Sequence, residues 1–369
     1  MNSPAGQSHQ TRLQTARAKI AAKELDALLV TQAENRLYVS GFSGSAGALV
    51  ITADKAILAT DSRYTEQAGM ESPSFEVRRI RADIDKWLPE MLQEGGIKRL
   101  GFESTDFSYF LYRRLKEALD KNGNPAQLVP AEGLVEELRI VKEEEEIENI
   151  SRAASLADKA FEHLCSVLRP GMSEKEAAWM VEKFMRENGS QPIPFELIVA
   201  SGPNSALPHA RPTEKTIAEG EPVVIDIGAR TGYYCSDMTR TICLGKPPDK
   251  FNKLYDIVLG AQLAAMASIE PGMSGDKADA LARTVINESG YGESFGHGLG
   301  HGIGLAVHEN PRLGQNSVDV LGNGMAFTVE PGIYIPGWGG IRIEDTVILE
   351  KGKIRPICKS PKVDWRKKH

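Results

Sequence analysis

The chain has 369 residues, enough for two domains that each bury a core, and its 41% hydrophobic and 25% charged content is ordinary for a globular protein, excluding disordered and fibrous classes. A formal charge of -6 gives no electrostatic footprint for nucleic acid, and the four cysteines, lacking CxxC spacing, suggest neither disulfides nor a thiolate zinc site. The opening MNSPAGQSHQ lacks the basic and apolar regions of a signal peptide and no apolar run approaches a membrane span, so a cytoplasmic protein without membrane association is expected.

From residue 10 to about 130, short apolar runs alternate with helical patterns. The runs are DALLVT (26–31), GALVIT (47–52), KAILAT (55–60) and RLGFE (99–103); RLQTARAKIAAKEL and SYFLYRRLKEALDK have helical spacing. This predicts a compact α/β domain. The turn-rich NGNP at 122–125 and the acidic helix start KEEEEIENI set a boundary near 130–138, giving domains 1–133 and 134–369. The second domain places helical patterns to about 168, at 174–188 and over 250–288 ahead of glycine-rich strands. That order predicts an α+β domain, helices packed on a curved antiparallel sheet.

Two acidic pairs stand in strand-like runs of this second domain. In VVIDIGARTGYYCSDMTRTICLG, a fold about Thr231 and Gly232 sets Asp226 opposite Asp237, and a longer loop with the same centre does so equally. In TVEPGIYIPGWGGIRIEDTVIL, Glu330 and Glu344 are symmetric about Gly337. Four buried anions need compensation, and Arg240 and Arg342 neutralise only part of the charge. Two divalent cations would balance the rest. Oxygen-rich coordination favours manganese, with cobalt, zinc and iron as alternatives.

The stretch GHGLGHGIGLAVHE (296–309) adds three histidines, one of them fit to be a fifth ligand. Its glycines let the backbone pass close to a crowded site. Strict alternation puts His301 and His308 on opposite faces, so the strand must bend or end between them.

These residues resemble the pita-bread metallopeptidases, the superfamily of methionine aminopeptidase, aminopeptidase P and prolidase. The resemblance covers roughly residues 138–360 and rests on DIG with Asp226, SDMTR with Asp237, GHGIGLAVHE with His301, FTVEPGIY with Glu330 and GIRIED with Glu344. It implies that these five residues bind two metals, with a bridging water or hydroxide as nucleophile. It further implies that His209, in NSALPHARP, contacts substrate and that His308 stabilises the tetrahedral intermediate. His297, Tyr334 and Arg342 match residues around the metals of the proline-specific branch. YVSGFSGSAGALVI and TDSRYTEQA likewise resemble the creatinase-like domain that precedes the catalytic domain of aminopeptidase P and prolidase, whose dimers bring that domain near the partner's site.

The resemblance thus implies a homodimer cleaving an N-terminal Xaa-Pro bond, with Glu330 shuttling the proton. A non-enzymatic binding protein on the same fold is disfavoured because all five ligands are retained. GFSGSAG and the EPGIYIPGWGGIRIED context lean towards an Xaa-Pro aminopeptidase over an Xaa-Pro dipeptidase; Arg312 is expected to be a surface arginine, with capping of a dipeptide's carboxylate as its alternative role. Cys235 and Trp338 are expected to serve packing, Trp338 having the better claim to touch substrate.

Overall fold

The computed structural model describes residues 4–362. The chain divides into two compact units, Met1–Arg139 and Ile140–His369. No helix among the described residues is long and apolar enough to cross a membrane.

The first unit is built on a six-stranded mixed sheet of order β4-β3-β2-β1-β5-β6. Its strands are β1 (Ala27–Val30), β2 (Ala48–Thr52), β3 (Ala56–Thr60), β4 (Glu76–Arg79), β5 (Arg99–Phe102) and β6 (Gln127–Pro130). The continuous apolar runs form the interior: β1 is buried throughout, antiparallel to β2 and parallel to β5. Strands β4 and β6 have no such run, because EVRR and QLVP lie at the sheet edges with half their residues exposed or nearly so. Leu88, Leu92, Leu115 and Leu119, from the helices Ile84–Glu94 and Tyr109–Lys121, are buried in one cluster with Leu29 and Val50 of the sheet.

The second unit repeats one order twice: a pair of helices, then antiparallel strands. The helices Glu144–Val167 and Glu174–Glu187 precede β7 (Ile198–Ser201), β8 (Pro222–Ile227), β9 (Arg230–Thr231), β10 (Tyr234–Cys235) and β11 (Met238–Cys243). Helices Asp249–Ser268 and Gly275–Glu288 precede β12 (Gly300–Gly302), β13 (Glu309–Leu313), β14 (Ala326–Val329), β15 (Gly332–Ile335), β16 (Gly339–Arg342), β17 (Asp345–Glu350) and β18 (Lys353–Pro356). Ser173 caps its helix by accepting from the Glu176 amide while the Glu176 carboxylate accepts from the Ser173 amide, a capping box.

Two interrupted hairpins carry the acidic pairs. In the later one, β14 pairs with β17 and β15 with β16 in one continuous register, with Val329 facing Asp345 and Gly332 facing Arg342. Glu330 and Glu344 sit at the break between the two ladders, opposite one another, as the symmetry about Gly337 predicts. The earlier hairpin departs from expectation. Asp226 faces Thr239 and Thr231 faces Tyr234, so Asp237 lies two residues along from the position opposite Asp226. The turn is centred on Gly232 and Tyr233, both at positive φ, 54° and 71°, the backbone of a primed two-residue hairpin turn. A tyrosine in that conformation gives no signal in the sequence. Asp226 and Asp237 are therefore diagonal rather than direct neighbours, still on one face.

Candidate active site

The two hairpins and the segment 297–308 surround one cavity of about 590 Å3, lined by Asp226, Asp237, Glu330, Glu344, His209, His297, His301, His308 and Arg342. Phe195, Ile198 and Val307 supply apolar wall. Tyr334 is the one expected site residue outside this lining. It stands behind the cavity, its hydroxyl 2.9 Å from His297 Nε2 and 2.9 Å from Arg342 Nη1.

His301 occupies the middle of β12, which ends at once: the register shifts between His301 and Gly302, and the chain turns before β13. The turn brings the His301 and His308 rings to 4.3 Å between centroids. The flanking glycines are required by close approach, since a Cβ on Gly300 would lie 2.0 Å from the Thr328 carbonyl oxygen and one on Gly302 would lie 2.1 Å from that of Asn310. The carboxylate-bearing segments are tied to their neighbours by backbone: the Glu330 amide donates to Leu299 O at 2.8 Å and the Glu344 amide to Thr239 O at 3.0 Å.

Burial holds the His301 pKa below its ordinary value, so the ring is neutral. Its Nδ1 donates to Gly302 O at 3.0 Å, which leaves the Nε2 lone pair facing Glu330 Oε1 at 3.4 Å and Asp237 Oδ2 at 3.7 Å. His297 is also held low by burial; Nδ1 donates to Gly298 O, and Nε2 accepts from Tyr334, whose oxygen accepts from Arg342. Burial raises the Tyr334 hydroxyl to about 12, keeping it a donor.

The carboxylates are pushed up. Asp237 and Glu344 lie well above the usual range, through burial first and the charges of neighbouring carboxylates second; burial raises Glu330 as well. Of the two arginines expected to offset the charge, Arg342 does so, with Nη2 at 2.5 Å from Asp226 Oδ2. Arg240 instead pairs with Asp345 at 2.7 Å and donates to Ser360 O.

The donor set fits divalent cations. Asp226 Oδ1, Asp237 Oδ1 and Glu344 Oε1 are buried without a hydrogen-bond partner among the described residues, and ligand atoms of Asp237, His301 and Glu344 fall within 4.8 Å of one another. Buried acceptors aimed together and left unpaired are costly unless a cation fills the space between them.

Two site-shaping residues escape the sequence reading. Thr239 Oγ1 donates to Glu344 Oε2 at 2.6 Å and accepts from Arg342 Nε at 3.0 Å, and Thr328 Oγ1 donates to Glu330 Oε1 at 3.1 Å. The correct register places Thr239 opposite Asp226, and Thr328 precedes Glu330 by two on the same strand face. Cys235 is buried with Sγ against Leu305 O, and Trp338 sits under Lys250 at 4.6 Å, both outside the cavity lining. Arg312 faces His301 across β12 and β13 and lines the cavity.

Comparison with known proteins agrees with this architecture. Residues 148–351 match the model of metallopeptidase family M24, and residues 12–141 match the creatinase/prolidase N-terminal domain. The chain is 40% identical over 337 residues to an Xaa-Pro dipeptidase of Pyrococcus horikoshii, covering 91% of this chain and 93% of that protein. A solved Xaa-Pro dipeptidase from Bacillus anthracis superimposes with a TM-score of 0.92 at 45% identity, covering 96% and 98% of the two chains. An X-Pro aminopeptidase from Thermotoga maritima superimposes with a TM-score of 0.86 at 38% identity, covering 95% and 98%.

Proposed function

The chain belongs to metallopeptidase family M24, and from that premise we propose that it hydrolyses the bond between the first residue of a peptide and a following proline, using two divalent cations held by Asp226, Asp237, His301, Glu330 and Glu344. The observation that carries the reading is the convergence of these five side chains on one cavity with unpaired buried carboxylate oxygens. Manganese suits the oxygen-rich donors. Bound there, the cations supply Lewis-acid polarisation of the scissile carbonyl and acidify water.

The remaining chemistry belongs to the chain. Glu330 takes the proton of the attacking water and passes it to the proline nitrogen, a leaving group with no N–H of its own. His308, held neutral by burial and the nearby His301, donates to the carbonyl oxygen as negative charge grows on it. Arg342 fixes Asp226 and, through Tyr334, His297; His209, which also lines the cavity, contacts the substrate.

On length, Arg312 favours the dipeptidase reading. It lines the cavity, its guanidinium makes no hydrogen bond or ion pair among the described residues, and in this reading it would pair with the carboxylate that ends an Xaa-Pro dipeptide. The likeness to the Thermotoga enzyme supports the second reading, an aminopeptidase open to longer peptides. Chelated protein is expected to be inactive and to recover with Mn2+, cleaving Xaa-Pro over Xaa-Ala. Cleavage without metal, or indifference to proline, overturns the proposal. Arg312→Ala should cut kcat/KM on Xaa-Pro by about tenfold or more and leave Xaa-Pro-Xaa little changed. A wild-type preference for Xaa-Pro-Xaa, unaltered by Arg312→Ala, installs the aminopeptidase instead.

A further inference from the structure

The turn that presents His308 is wrapped around a buried ion pair whose cationic member lies far away in the chain. Glu309 directly follows His308, and its Oε1 is 2.6 Å from Lys142 Nζ, the two side chains only 8% and 1% exposed. The Glu309 carboxylate fills the hollow of the turn: a Cβ on Gly304 would lie 2.4 Å from its Oε1, and the Ala306 amide points at Oε2 from 3.4 Å. Gly304 closes the turn by donating to Ala306 O and accepting from the Cys235 amide. Lys142 is itself anchored, its amide donating to Gly324 O while Val141 bridges to Met325 just ahead of β14. The ammonium thus links the strand leading to Glu330 with the turn carrying His308. Removing that ammonium takes from the buried carboxylate the cation it holds at 2.6 Å, and the imbalance falls on the turn whose hollow the carboxylate fills.

We propose that Lys142 is a positioning residue for the peptidase reaction, acting through Glu309 to hold the His308 imidazole where it meets the carbonyl oxygen. The inference rests on the role given to His308 above. A displaced donor fails in the transition state more than in ground-state binding, so the defect belongs in kcat. Lys142→Met should lower kcat of the metal-loaded enzyme by about tenfold to a hundredfold with KM and metal stoichiometry unchanged, the scale of an ångström-sized misplacement. Lys142→Arg should restore most of the rate. Because Lys142 acts through His308, Lys142→Met combined with His308→Ala should be no slower than His308→Ala alone, within about twofold.

Multiplying defects in the double variant, a fully active Lys142→Met, or loss of metal from it overturns the assignment. If Lys142→Met does not fold, the charge-balanced Lys142→Met/Glu309→Gln pair carries the same test, since it buries no lone ion. A fully active His308→Ala would instead defeat the reading of His308 and this inference with it. A slow His308→Ala beside a fast Lys142→Met defeats the inference alone.

Discussion

At the carboxyl end of β5 in the first unit, Glu103 is 3% exposed and accepts from the amides of Thr31 and Gln32 at 2.6 and 2.8 Å and from Asn35 Nδ2 at 2.7 Å. In the second unit, Asp226, Asp237 and Glu344 are also buried, Glu344 more deeply than Glu103, yet each keeps one oxygen without a hydrogen-bond partner among the described residues. Burial raises Glu103, to about 7, just as it raises Asp237 and Glu344. A perturbed carboxyl is therefore no mark of a metal site by itself. What separates the two regions is supply: Glu103 is surrounded by N–H donors, whereas the cavity carboxylates, with single donors such as Arg342 on Asp226 and Thr239 on Glu344, turn their remaining oxygens toward one another and a histidine lone pair. The fully buried Glu174 sides with Glu103, accepting from Ser201, Asn204 and Thr213 at both ends of the loop that carries His209.

Removing a cavity carboxylate breaks the comparison most severely. Asp237→Ala or Glu344→Ala should abolish peptidase activity together with metal binding, measured by turnover and bound-metal analysis, whereas Glu103→Gln should leave both intact. Within the cavity, His308→Ala should lower kcat by roughly 10² to 10³ with metal content unchanged, the usual cost of an oxyanion donor. Loss of metal from that variant would move His308 into the ligand set. A third contrast is thermodynamic. Cation at about a hundredfold excess over its dissociation constant should add about 2.7 kcal/mol per site to wild-type stability and nothing to Asp237→Ala. Calorimetry in buffers of different ionisation enthalpy should show proton release on binding, because the raised carboxyls must ionise.

The effect furthest from catalysis is a pH dependence in the first unit. The folded-state pKa of Glu103, about 7, lies above its ordinary 4.5, so its contribution is complete below about 4.5 and lost as pH rises through 7. Wild type should lose stability relative to Glu103→Gln across that window, by at most about 1.4 kcal/mol per pH unit. A flat difference in chemical-denaturation midpoints would show that the donors around Glu103 keep it ionised throughout.

Legibility in the sequence followed the range of the interactions. The later hairpin could be read because PGWGG marks its turn and apolar runs fix its faces, so the opposition of Glu330 and Glu344 follows from counting. The earlier hairpin misled by two residues, since its turn uses Tyr233 in a left-handed backbone that no turn-forming residue type announces. Arg240 looked as available to the cavity as Arg342, and only the tertiary fold turns it to Asp345. The Glu174 and Lys142 anchors were invisible for a related reason. Lys142 and Glu309 are 167 positions apart, and neither local spacing nor hydrophobic period connects them.

The ladder break at Glu330 and Glu344 bears on how the site opens. Each of these residues sends its amide out of its own hairpin, to Leu299 and to Thr239, so the segments carrying Asp237, His301, Glu330 and Glu344 share hydrogen bonds between residues as far as 109 positions apart. Fraying of one hairpin alone must break a bond belonging to another segment. In hydrogen exchange, the Glu330 and Glu344 amides should then behave as one cooperative unit with β11 and β12, exchanging when the whole catalytic sheet opens rather than through local excursions.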